Sequence, residues 1–102
     1  MFLHLGGELT INLKDLVGIM DIKSALKSRD TRSFLKKSRE EGYIKKVSQE
    51  EPRSFVIVER GKRTSKSYTR TTIYESPISA VTLQKRAGFI DSLPNFQDNF
   101  TR

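Results

Sequence analysis

The sequence predicts a small α+β domain, built as a mostly antiparallel sheet with one surface helix and one C-terminal packing helix. Three observations predict it. The chain has 102 residues, which fits one domain around one core. Several short runs alternate or concentrate apolar side chains as strands do, and glycines punctuate them. Only two stretches carry helix start and stop signals. Surface scaling lets a chain of this length hide roughly 65% of its extended surface, so the core is thin.

Residues 2–5 and 8–13 flank Gly6-Gly7, and the second run alternates Leu9, Ile11 and Leu13 with Glu8, Thr10 and Asn12. Adjacent glycines between such strands suit a primed turn with positive φ, so a tight hairpin is expected here rather than a phosphate loop. Leu16-Val17-Gly18-Ile19-Met20 and Phe55-Val56-Ile57-Val58 are apolar on both faces, which a strand tolerates only when both sides are covered. A domain this short has little material for both, so part of this surface is expected to meet another subunit.

Between these strands, Asp30 or Thr31 can cap a helix running to about Glu41, with Gly42 ending it in the left-handed conformation. Phe34 and Leu35 are its apolar content, and Arg32, Lys36, Lys37, Arg39, Glu40 and Glu41 place it on the surface. Tyr43 to Val47 reads as a short strand, Ser48 to Pro52 as a polar loop and Arg53 to Arg60 as a further strand. Gly61 interrupts the pattern and Ser67 to Tyr74 resumes it, leaving residues 60–67 as a long hairpin connection.

Ser76-Pro77 has the cap and first-turn chemistry of a second helix, which Gly88 ends. Ala80, Leu83 and Ala87 form its inner stripe with Ile78 and Val81 beside it, and Lys85 and Arg86 sit where the helix dipole favours cations. Residues 1–90 therefore make the single domain. Residues 91–102 are polar apart from Leu93, Pro94, Phe96 and Phe100, and read as a flexible tail whose two phenylalanines have docking on a neighbouring subunit as an alternative role.

Nineteen Lys and Arg against twelve Asp and Glu give a net charge of +7, the sign that suits phosphates and a polyanionic partner. With no cysteine, neither disulfides nor thiolate metal sites hold the fold, which suits a reducing compartment. Apolar runs stop at four or five residues, and no basic leader precedes Gly6-Gly7, so a cytoplasmic protein without membrane contact is expected.

Catalytic chemistry is sparse. His4 is the sole histidine, no paired carboxylates share a spacing, and the hydroxyl residues have no histidine nearby in sequence to single one out. Gly61-Lys62-Arg63-Thr64 lacks the second glycine and the hydroxyl residue that a nucleotide loop needs after its lysine. No enzyme, cofactor or small-molecule substrate is expected.

The strongest local signal is the segment from Arg60 to Arg70, in which Arg60, Lys62, Arg63, Lys66 and Arg70 supply five positive charges with no acid among them. Guanidinium forks give bidentate phosphate contacts, ammonium groups add point charge, and Thr64, Ser65, Ser67 and Thr69 add donors that fix register without reading sequence. Arg32, Lys36, Lys37 and Arg39 form a second basic group of the mixed kind that surface helices carry for solubility.

Phe2-Leu3-His4-Leu5-Gly6-Gly7, Lys14 to Asp21, Ser54 to Val58 and, most specifically, Tyr74 to Ala87 resemble the bacterial extracellular-matrix regulators. The resemblance covers residues 1 to about 90. It implies a cytoplasmic regulator of biofilm-matrix genes, and relatives in the family bind double-stranded DNA as ring-like homo-oligomers of a small α+β subunit. It also implies DNA contacts at the approach to the second apolar strand and just before the Val-Ile-Val strand, where Lys14 and Arg53 are the nearest matches here. No consecutive arginine pair stands at either position, since Asp15 follows Lys14 and Glu50-Glu51-Pro52 precedes Arg53.

The leading expectation is thus a DNA-binding regulator that oligomerises and presents Lys14, Arg53 and the Arg60–Arg70 hairpin to phosphates. The competing expectation is an oligomeric protein-interaction module that modulates another regulator without touching nucleic acid. RNA is a third alternative, in which Tyr68 and Tyr74 would stack unpaired bases, although strand tyrosines more often pack.

Overall fold

The structure is a computed structural model that describes residues 1–61 and 70–89. Its elements run β1 (Phe2–Gly6), β2 (Leu9–Asn12), a 3-10 turn (Leu13–Asp15), β3 (Leu16–Asp21), α1 (Ile22–Ala25), α2 (Arg29–Glu40), β4 (Ile44–Lys46), β5 (Ser54–Arg60), β6 (Arg70–Ser76) and α3 (Ala80–Arg86). The α+β class holds. Instead of one sheet there are two, the β1–β2 hairpin and a four-stranded sheet in the order β3-β5-β6-β4. All pairings are antiparallel except β4 with β6, where Ile44 lies opposite Ile73 and Lys46 opposite Glu75.

The hairpin forms where the glycines allow it, with Gly6 at φ 118° and Gly7 at φ 53°. Gly6 is required twice over. A Cβ there would lie 3.0 Å from both Cδ and Cγ of Pro77, so the turn packs directly on the link between β6 and α3. His4 Nε2 lies 2.8 Å from the Gly7 carbonyl oxygen, and this contact latches the turn.

Alternation along β5 sends Val56 and Val58 to one face and Phe55 and Ile57 to the other. The first pair joins Ile19 of β3 and Tyr74 of β6 with Leu3, Leu5 and Ile11 of the hairpin and Ala80 and Leu83 of α3. The second joins Ala25, Leu35 and Ile73 beneath α1 and α2. One chain therefore packs against both faces of β5, leaving Ile57 partly exposed. On β3, Val17 remains 52% exposed.

Several helix starts differ from expectation. Ser28, not Asp30 or Thr31, caps α2, its side chain accepting from the Thr31 N–H, because the chain arrives from the unanticipated turn α1. Gly42 follows the helix at φ 82° as expected. At the last helix, Ser79 is the cap rather than Ser76, and the helix starts at Ala80. Ser76 is fully buried at the end of β6, where its hydroxyl donates to the Leu5 carbonyl and accepts from the Ile78 N–H. That pair of bonds ties the hairpin layer to the sheet. Val81 is exposed rather than packed beside the inner stripe.

Strand β6 ends at Ser76, two residues beyond the expected limit, and its expected beginning at Ser67 lies outside the described residues. The expected tail also falls outside them. Arg39 Nη2 donates to Glu75 Oε2 at 2.9 Å, pinning α2 to the sheet through an otherwise buried carboxylate. No described helix is long and apolar enough to cross a membrane.

Candidate nucleic-acid interface

Strand register decides which basic residues meet. Arg60 ends β5 and Arg70 begins β6 directly opposite it, so the described sheet closes on an arginine pair at the mouth of the Arg60–Arg70 segment. Both are exposed. Like charges directly opposite each other destabilise a strand pair, and a bound anion relieves that repulsion. Lys62, Arg63 and Lys66, between them in sequence, lie outside the described residues.

Lys14 reaches the same end of the sheet. It sits in the turn leading to β3, and Leu16 pairs with Val58 near the end of β5. A hollow of about 420 Å³ there is lined by Lys14, Asp15, Leu16, Val17, Glu59 and Gly61. Three described cations thus stand against the carboxylates Asp15 and Glu59.

Arg53 is elsewhere. Its backbone N–H donates to the Ser76 carbonyl at 2.7 Å and its carbonyl accepts from the Ile22 N–H, at the start of β5. The seven-residue length of β5 separates it from Arg60 by roughly 23 Å at the usual strand rise. Its neighbours in a hollow of about 530 Å³ are Asp21, Ile22, Lys23, Glu51 and Pro52. Asp21 is committed to capping α1, and the N–H of Ser24 that it accepts holds its carboxyl below the usual aspartate range. One chain consequently brings Lys14, Arg60 and Arg70 together and does not bring Lys14 and Arg53 together.

On α2, Arg32, Lys36 and Lys37 are exposed, while Arg39 is engaged with Glu75. Of the tyrosines considered for stacking, Tyr74 is buried in the core and Tyr68 lies outside the described residues. The sequence reading passed over Tyr43, which is exposed beside the entry to β4. Its position before a Lys-rich edge strand was the available signal.

Fold and surface define a small α+β domain with a cation-rich sheet end. No family model matches the chain. Over 90 residues, 88% of this chain and 94% of the relative, it is 34% identical to extracellular matrix regulatory protein B of Bacillus subtilis (strain 168). The chain belongs to that protein's family. The relative's name is that of a regulatory protein, not of an enzyme.

Proposed function

We propose that this protein is a DNA-binding regulator of extracellular-matrix genes that acts as a homo-oligomer, each subunit offering its basic sheet end to duplex phosphates. The opposed Arg60 and Arg70 carry this reading, because their pairing opposes stability unless an anion meets them. Lys14 at the same end and the three cations between the arginines extend the contact. Backbone contacts of this kind position a protein on a duplex without reading bases, so affinity would build through repetition of subunits. Val17 and Phe2, both largely exposed, remain as apolar surface for subunit contact.

Fluorescence anisotropy with a labelled blunt duplex, titrated with salt, tests it. Five neutralised phosphates predict that log affinity falls against log salt with a slope of about −4.5 per engaged subunit. Replacing Arg60, Lys62, Arg63, Lys66 and Arg70 with Ser should flatten the slope. An unchanged slope removes the hairpin from the interface. A protein that ignores duplexes at low salt yet retains protein partners after nuclease treatment is the interaction module instead.

A further inference from the structure

Tyr43 stands between two different surfaces. On one side a hollow of about 420 Å³ is lined by Gly42, Tyr43, Lys45, Arg70, Thr71 and Thr72. On the other a smaller groove of about 310 Å³ is lined by Phe34, Lys37, Ser38, Glu41, Tyr43 and Thr71. Two walls are shared. The first side offers two cations and two hydroxyls, and the second offers the rings of Phe34 and Tyr43, 48% and 46% exposed.

That division matches one nucleotide, which has an anionic phosphate at one end and a flat apolar face at the other. Backbone bonds hold Tyr43 in place: its N–H donates to Ser38 and its carbonyl accepts from Ile73, each at 2.8 Å. The ring is thereby presented from a fixed main chain. Arg70 belongs both to this hollow and to the basic sheet end, so the two surfaces are continuous.

We infer that the β4 edge is a second contact for the nucleic acid, one that takes an unstacked nucleotide with its phosphate on Lys45 and Arg70 and its base against Tyr43 and Phe34. This rests on the proposed nucleic-acid contact at the sheet end, and it adds a preference for unpaired nucleotides next to a duplex. A paired, stacked base has no free face for Tyr43, whereas an unpaired one does.

The test compares anisotropy titrations of the blunt duplex with the same duplex carrying a short run of unpaired thymidines. The tailed probe should bind about five-fold tighter or more, the size of one aromatic–base stack. Tyr43→Ala should abolish that advantage with blunt-duplex affinity unchanged, and Tyr43→Phe should keep it. Lys45→Ser should reduce the salt slope for the tailed probe by about one.

Equal affinity for the two probes overturns the inference while leaving duplex binding intact. Equal loss on both probes in Tyr43→Ala also overturns it. If only unpaired DNA binds, and does so through Tyr43, the nucleotide site stands and the duplex reading falls. If neither probe binds, both readings fall. Thermal melts of each variant establish that it folds, as expected for side chains this exposed.

Discussion

Gly6→Ala is the sharpest single perturbation of this fold. Two separable penalties arise. The φ of 118° lies where an L side chain is strained, which costs about 1–3 kcal/mol. The new methyl would also meet Pro77 Cδ and Cγ at 3.0 Å, tighter than most Cβ contacts, so the proline ring must give way, and overpacking of this kind costs about 1–3 kcal/mol. Together they remove about 2–6 kcal/mol from a domain whose stability is on the order of 5–15 kcal/mol. With a urea slope near 1.5 kcal/mol/M, a loss of about 3 kcal/mol moves the midpoint by about 2 M. A double-mutant cycle separates the causes. In the Pro77→Ala background the clash disappears and the strain stays, so the coupling should be about 1–3 kcal/mol in favour of the double variant. A Gly6→Ala cost below about 1 kcal/mol, or no coupling to Pro77, would refute the packing of the hairpin on the β6–α3 link.

Other perturbations follow the same contacts. Ser28→Ala should lower stability by about 1 kcal/mol in urea unfolding, and Asp30→Ala should have the smaller effect, since the cap belongs to Ser28. Ser76→Ala leaves the Leu5 carbonyl and the Ile78 N–H without their partner and should cost about 2–4 kcal/mol by the same assay. Arg39→Ala strands the buried Glu75 carboxylate. Its cost should be about 1–2 kcal/mol, held down because the arginine itself is largely exposed. Asp21 has a folded pKa below its ordinary 3.8, so its capping contribution is complete above that value and fades as pH falls through the lower folded value. Carboxyl carbon NMR of Asp21 should titrate at that depressed pH, and Asp21→Asn should lose its stability difference from the parent in strong acid.

Local signals were legible and long-range ones were not. Gly6-Gly7, Gly42 and Gly88 announced their turns because positive φ selects glycine almost regardless of context. Helix starts were harder. Ser28, Asp30 and Thr31 are all good caps, as are Ser76 and Ser79, and the choice fell to neighbours distant in sequence. Ser76 is drawn into β6 because Ser54 pairs with it and the Leu5 carbonyl, from the other end of the chain, needs its hydroxyl. The parallel pairing of β4 rests on three residues and a register that no local pattern encodes.

The site shows the same limit from another side. A run of five cations between Arg60 and Arg70 is visible in one dimension, but whether Lys14 or Arg53 joins it depends on which way β3 and β5 run. Antiparallel pairing puts the start of β3 beside the end of β5, so Lys14 joins and Arg53 is carried to the far end. The same geometry decides which apolar side chains the chain covers by itself. Val56 and Val58 pack in the core shared with the hairpin and α3, and Phe55 packs beneath α1 and α2, while Ile57 beside it stays partly exposed. Exposed apolar side chains among the described residues include instead Phe2 on the hairpin, Val17 on β3, and Phe34 and Val81 on the helices, so an assembly of the kind proposed would draw on those.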